Sequence, residues 1–550
     1  MPTALSRPYA ATADQQRPGL PVRGRGGRGG RGRPGLLSVR GPRGRRRAPV
    51  GVLIAAFVVA AVSLIPLGYV LAQTVATGWD QAYALIVRPR VGELLRHTAA
   101  LVATTVTGSV LIGVAAAWLV ERTDLPLRRL WAVLFAMPLA IPAFVTSYGW
   151  VSLYPSIEGL SGATLITTFA YFPFVYLPVA AVLRRLDPAL EESARSLGHS
   201  SARVLVRVVL PQLRTAVLGG ALLVGLHLLA EYGALQMIRY STFTTAIMEQ
   251  HESTFNGAAA TMLATVLVSL CLLLLTLDVL LRGRGRYSRL GSGAARPAPR
   301  TRLGRAGPLA LLASAVVCGA AIGVPFVSVG RWLVLGGGDL WTAPELLPAL
   351  LSTLILGLYA AALTTAVALP VAWLAVRHRG WGSTLMERCT YLASAMPGIV
   401  VALAFVTVAI RYARPIYQST LLIVVAYALL FLPRAMVSLR AGIEQAPPEL
   451  EEAAKALGSS PLRLFGRVTL PLIAPALAAG AALVFMAVVT ELTATLLLAP
   501  TGTRTLATQF WSFSSEIDYA AAAPYAMLMI VLSLPVSWFL LVQSHRMAGR

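Results

Sequence analysis

Long apolar runs separated by short polar connectors fill this chain, and the runs are continuously apolar rather than alternating in period two. Several approach or exceed the roughly 18 residues needed to cross a hydrocarbon core of about 30 Å. The pattern predicts an all-α polytopic membrane protein with about twelve transmembrane helices. They fall at 50–72, 98–120, 130–153, 163–183, 214–237, 258–281, 307–328, 349–376, 388–410, 418–436, 472–498 and 521–543. A β-barrel needs dyad alternation, which these runs lack. Pro138, Pro142, Pro173, Pro178 and Pro433 interrupt the third, fourth and tenth runs. Kinked or broken helices are expected there, near the bundle centre, where neighbours or water can satisfy the freed carbonyls.

Arginine orients these spans. The segment 1–48 carries twelve arginines against one acid, Asp14, and reads as a disordered Arg/Gly-rich tail. A basic linker, 284–306, follows the sixth span, and the stretch from Arg282 to Arg305 contains no acid. The segments 122–129, 184–214, 377–388 and 434–467 lie on the same side, as does the end through Arg546 and Arg550. The opposite connector 154–162 is poor in basic residues. The positive-inside rule therefore puts both termini in the cytoplasm, which an even number of spans also requires. Two six-span domains result, 49–283 and 307–550.

Composition agrees with this plan. Only 13% of the 550 residues are charged and mean hydropathy is +0.70, where soluble domains carry about 25% charged residues. The net charge of +24 is almost all arginine, since Lys455 is the single lysine. The tail sequence Gly24–Gly35, GRGGRGGRGRPG, has the composition of some RNA-binding segments. A solvated tail drawn to anionic headgroups is the reading preferred, because nothing else in the chain points to nucleic acid. It is not a signal peptide, because the charged region is too long and no small-residue cleavage site follows. Cys271, Cys318 and Cys389 show no metal-ligand spacing and read as small packing residues.

The most informative pattern is a repeat. Glu192-Ser193-Ala194, Gly198, Val208 and Leu210-Pro211 recur as Glu452-Ala453-Ala454, Gly458, Val468 and Leu470-Pro471, each 260 residues later. Thr98 and Ala117-Trp118-Leu119 match Thr353 and Ala372-Trp373-Leu374 at an offset of 255, and Ala136-Met137-Pro138 matches Ala395-Met396-Pro397 at 259. Pro173 with Pro433, and Glu231 with Glu491, return to 260. Two halves of equal orientation follow, with a pathway at their interface. The first span and the tail stand outside the matched stretch.

Read physically, the signature is a helical elbow on the cytoplasmic face. Pro188 and Pro448 suit a first helical turn. Glu191, Glu192, Glu451 and Glu452 complement the helix dipole there. Ala194, Ala453 and Ala454 give a smooth surface that another protein can approach. Gly198 and Gly458 suit a left-handed C-terminus. Ser200, Ser201 or Ser460 offers a cap for a second short helix, and Leu210-Pro211 and Leu470-Pro471 are expected to break the chain where it re-enters the membrane. An ordinary amphipathic interfacial helix would explain one copy; two copies with every spacing retained argue for a shared docking role. Glu231 and Glu491 lie at equivalent places in the fifth and eleventh spans. Carboxylates within spans usually face the bundle interior, and paired hard oxygens suit a hard cation such as Fe(III). Two readings are open for them: a cation-binding or gating pair on the pathway, or caps that hold a helix bend within each half.

The paired segments closely resemble the EAA signature of permease subunits of binding-protein-dependent ABC importers, over nearly all of residues 90–543. Ser193 stands where alanine is usual. The resemblance implies a type I ABC importer permease fold, with 49–283 and 307–550 as permease domains. Glu191, Glu192, Ala194, Gly198, Glu451, Glu452, Ala453, Ala454 and Gly458 would then dock two copies of an ATPase subunit. No Gly-x-x-x-x-Gly-Lys-Ser/Thr segment occurs, so ATP and Mg would be used by that partner; no cofactor or fixed metal is expected on this chain, which is not itself an enzyme. An extracytoplasmic binding protein would deliver substrate to loops at about 73–97, 238–257, 329–347 and 500–519, in the cell membrane of a prokaryote. Glu491–Leu498 with Pro500-Thr501-Gly502, and Glu231–Ala234 with Tyr240–Ile247, look most like ferric-iron permeases, though thiamine and phosphonate permeases share some of these features. A secondary transporter with parallel repeats would not need the elbows.

Overall fold

A computed structural model describes residues 48–186, 189–252, 257–282, 300–393 and 396–548. The tail 1–47, most of the linker, Pro188 and Ala395 lie outside the described residues. Among the described residues the structure is helical, with one isolated bridge between Thr123 and Thr301. Every expected span has its helix. Eight are long and apolar enough to cross a membrane unaided. Val50–Ser63 with Ile65–Thr77 forms a pair bent by 43°, Arg128–Ala140 with Ala143–Leu153 a pair bent by 94°, and Gly398–Tyr412 and Tyr519–Pro535 are shorter apolar helices.

Proline sets the sharper of these breaks, and one sequence match must be reassigned. Ala143–Leu153 starts after Pro142 (φ −57, ψ 142) and Gly398–Tyr412 starts after Pro397 (φ −57, ψ 145). The structural counterpart of Pro397 is therefore Pro142, at the offset of 255 set by the preceding span. Pro138, the match expected from sequence, lies in a short 3-10 turn instead. Proline fixes φ and cannot donate, so either proline can end a turn, and local likeness cannot tell which one starts the helix.

The first span is also part of the repeat, contrary to expectation. Pro66 follows the bend at Leu64 and Pro325 follows the π turn Gly319–Gly323, each in the first turn of the next helix, and Gly78 (φ 79) and Gly337 (φ 74) end both spans with a left-handed residue. These pairs share an offset of 259. Each such span crosses onto the opposite half. Val50–Ser63 packs on Leu346–Arg377 and Trp381–Ala393, and Ile65–Thr77 on Gly398–Tyr412; reciprocally, Val324–Gly336 packs on Ala143–Leu153. Ala56 and Val70 accordingly belong to a core with Leu356, Ala360 and Val401, while Cys318, Ile322 and Val329 belong to one with Val145 and Tyr148.

Repeat-related hydroxyls clasp the two crossings. Thr407 Oγ1 donates to Tyr69 Oη at 3.2 Å, and Ser152 and Ser328 share a hydrogen bond of 2.7 Å. Beside the second clasp, a Cβ on Gly149 would stand 2.7 Å from Pro325 Cα. Gly149→Val is therefore expected to cost about 1–3 kcal/mol by overpacking, measured as a lower thermal midpoint in detergent. An unchanged midpoint would mean that the two helices separate freely.

Candidate functional site

Both elbows are built alike from local sequence. The helices Ala189–Ser196 and Pro448–Ala456 end at Gly198 (φ 82) and Gly458 (φ 76). Each end closes with two reversed bonds. His199 N–H donates to Ala194 O at 3.1 Å and Gly198 N–H to Arg195 O at 2.9 Å; Ser459 and Gly458 donate to Ala454 and Lys455 at 3.0 Å each. This is the Schellman arrangement that a left-handed glycine permits. It leaves Leu197 79% and Leu457 87% exposed, an apolar knob at each elbow tip.

Beyond the elbow, expectation and structure differ. Short helices at Ser201–Val204 and Pro461–Leu464 run through π turns, Leu205–Val209 and Phe465–Thr469, directly into Leu210–Ala230 and Leu470–Val489. Leu210-Pro211 and Leu470-Pro471 thus do not break the chain. A π turn spaces its bonds i→i+5, which absorbs the donor that proline lacks. Gln212 adds a side-chain donor to Val208 O at 2.8 Å. Ser460 takes the N-cap place, but its hydroxyl makes no cap bond.

Two of the expected docking acids face inward. Glu191 Oε1 lies 3.1 Å from Arg122 Nη2 and its Oε2 3.3 Å from Arg195 Nη2. Glu451 Oε1 lies 3.0 Å from Arg377 Nη2, which also donates to Ala446 O at 2.9 Å. Arg122 and Arg377 end the long helices Pro89–Arg122 and Leu346–Arg377. A buried ion pair thus fastens each elbow to a membrane helix. Ala194 is buried as well, Ala454 half-buried, and Glu192, Ala453, Glu452, Gly198 and Gly458 exposed. Glu191, Glu451 and Ala194 stand behind the presented surface rather than on it, because the first-turn position that complements the dipole also faces the membrane helix. Next to the second anchor, burial and then Lys455 hold His378 below the usual imidazole range, with Glu451 opposing.

The span acids stand beside a contact between the two halves. Each takes the cap place before a short helix. Glu231 Oε1 accepts from Ala234 N–H and Glu491 Oε1 from Ala494 N–H, both at 2.9 Å, ahead of Gly233–Met237 and Thr493–Leu498. The two cap segments touch through Leu492, whose Cδ2 would stand 2.8 Å from a Cβ on Gly233. Glu231 lies within electrostatic range of Glu491. The structure gives each acid the second of the two roles left open by the sequence, a cap within its own half. Both are half-buried.

Three neighbours were missed in the sequence. Tyr171 O–H donates to Glu231 Oε2 at 2.5 Å. His227 lies against Phe174 with the rings tilted by 37° and their centroids 4.3 Å apart. Arg434, one residue after Pro433 and mid-span in Thr420–Gln445, lies over the Phe431 ring at 5.1 Å and within electrostatic range of Glu491 and His227. The available signal was a charge inside an apolar run, which is costly unless it serves a purpose. Among the described residues no group of three metal-ligating side chains occurs.

The model of the binding-protein-dependent transport system inner membrane component family matches this chain twice, at residues 108–286 and 354–549. The chain belongs to this family. Each matched stretch contains one elbow and one cap glutamate. The Fe(3+)-transport system permease protein FbpB 2 of Haemophilus influenzae is 36% identical over 500 residues, covering 89% of this chain and 98% of the relative. The ferric transport system permease protein FbpB of Actinobacillus pleuropneumoniae is 22% identical over 72% of this chain and 61% of its own length. The sulfate transport system permease protein CysT of Escherichia coli is 30% identical, but over 38% of this chain.

Proposed function

We propose that this chain is the permease subunit of an ATP-driven ABC importer that carries ferric iron from a binding protein into the cytoplasm by alternating access. The observation that carries the cargo is the near end-to-end likeness to a fused Fe(3+) permease; the sulfate relative corresponds to little more than a third of the chain. Paired elbows support the drive. Two copies of an ATPase subunit, using ATP and Mg, dock on Glu192, Gly198, Glu452, Ala453, Gly458 and the leucine knobs, while Glu191 and Glu451 hold the elbows to their helices. Both termini and the linker lie in the cytoplasm, between permease domains 49–283 and 307–550, and the chain itself binds no cofactor. The loops near 73–97, 238–257, 329–347 and 500–519 receive the binding protein on the other side, and Glu231 and Glu491 lie on the route between. Lipid headgroups contact the arginine-rich face.

ATP-driven closure of the ATPases would press the elbows together. The ion pairs Arg122–Glu191 and Arg377–Glu451 would pass that motion to the long helices, and the halves would rock about the acid pair. The test is uptake by proteoliposomes holding the chain, its ATPase and its binding protein, offered radiolabelled ferric iron or sulfate. ATP-dependent iron uptake is expected. Uptake of sulfate instead would overturn the cargo, and uptake without the ATPase would favour a secondary transporter.

A further inference from the structure

The two cap glutamates are equivalent by the repeat, but their surroundings are not. Where Tyr171 holds Glu231 Oε2, the residue 260 positions on is Phe431, which has no hydroxyl. Where Phe174 stands in the first half, the second has Arg434; where His227 stands in the first, the second has Ala487. Glu231 is thus tied at both oxygens, by Ala234 N–H and Tyr171 O–H. Glu491 is held by backbone alone, by Ala494 N–H at Oε1 and by Thr493 N–H, with no side-chain donor in the place of Tyr171, and a Cβ on Gly398 would stand 3.3 Å from Oε1.

Arg434 complements this difference. It is exposed, rests on the Phe431 ring at 5.1 Å, and makes no ion-pair contact among the described residues, although Glu491 lies within its electrostatic range. A guanidinium over an aromatic face is held by a modest attraction, which a side chain can give up. Its charge offsets one carboxylate in a region where an unpaired charge is expensive.

We propose that Glu491 alone of the two acids takes the cargo cation in transit, and that Arg434 is its resident counter-cation, a positioning residue that swings aside as the cargo arrives and returns as it leaves. Glu231, satisfied on both oxygens, holds the cap geometry. A highly charged cation displaces Arg434 and a monovalent one does not, so the pair also selects for cargo charge. This inference rests on the importer reading above and on a cationic cargo.

The test uses the assembled importer in proteoliposomes, its binding protein loaded with radiolabelled ferric iron, reading iron uptake and ATP hydrolysis together. Glu491→Gln is expected to lower uptake about tenfold while ATP hydrolysis stays within about twofold, and Glu231→Gln to lower uptake by less than about threefold. Arg434→Gln should also lower uptake about tenfold, with iron retained on the washed chain, whereas Arg434→Lys restores uptake. Because both residues act through one site, Arg434→Gln with Glu491→Gln should resemble Glu491→Gln alone rather than the product of the two effects. Equal loss from Glu231→Gln and Glu491→Gln, multiplicative losses in the double variant, or normal uptake by Arg434→Gln would each overturn the inference. Failure of the unaltered importer to take up iron would instead bring down the importer reading, so the two failures are distinct.

Discussion

A chain carrying Leu197→Asp together with Leu457→Asp is expected to leave the membrane without its ATPase. Both leucines close an elbow helix and are 79% and 87% exposed. The left-handed glycine that follows each one turns the chain away sharply and leaves the side chain projecting. An exposed leucine buried in a partner's groove contributes about 1.5–3 kcal/mol, and aspartate there would add the cost of burying a charge. A loss of about 2 kcal/mol corresponds to roughly 30-fold in affinity at each elbow, and one loss at each of two elbows multiplies. The measurement is the amount of ATPase recovered per tagged chain from solubilised membranes, with Leu→Met at both sites as the control that keeps shape. Full recovery of ATPase with the aspartates would move the contact to Glu192 and Glu452.

Arg377→Ala is expected to be more damaging to the chain itself. It leaves Glu451 buried beside Leu346–Arg377 without its guanidinium and removes the donor to Ala446 O. Breaking one side of a buried ion pair costs about 3–5 kcal/mol, because the remaining charge is stranded, whereas replacing both partners by apolar groups is often neutral. Arg377→Met with Glu451→Leu should therefore recover most of the stability lost in Arg377→Ala, read as thermal midpoint in detergent. A single variant as stable as the unaltered chain would show that the pair is solvated and carries no load. The first-half pair, Arg122 with Glu191, should behave alike; there Arg195 offers Glu191 a second partner, so Arg122→Ala should cost less.

The membrane class, the spans, the repeat and the elbows were legible because each rests on local pattern: apolar length, arginine asymmetry, and spacing around Gly198 and Gly458. What the sequence concealed was tertiary. Glu191 and Glu192 are adjacent and chemically identical, so only the packing of the elbow against Arg122 decides which faces in. Pro138 and Pro142 compete for one helix start. Tyr171 and Phe431 differ by a hydroxyl whose meaning appears only beside Glu231. The crossing of the first spans did leave a trace, in Pro66 with Pro325, Gly78 with Gly337 and Asp80 with Asp339, all at offset 259. Those marks are too sparse to outweigh the divergent apolar residues between them.

The crossed first spans also bear on how the protein is made. Chains emerge from the ribosome N-terminus first, and domains tend to fold in that order. Val50–Thr77 enters the bilayer early, and its second part finds Gly257–Arg282 within the same half, yet Leu346–Arg377, on which Val50–Ser63 packs, is synthesised only after the whole first half. Tyr69 has Thr261 within the first half but must wait for Thr407, while Ser328 finds Ser152 already in place. Assembly is therefore asymmetric in time although the product is nearly symmetric in space. A chain stalled before residue 346 would leave Val50–Ser63 without the helices it packs on, the kind of feature by which a cell's quality control recognises an unfinished protein.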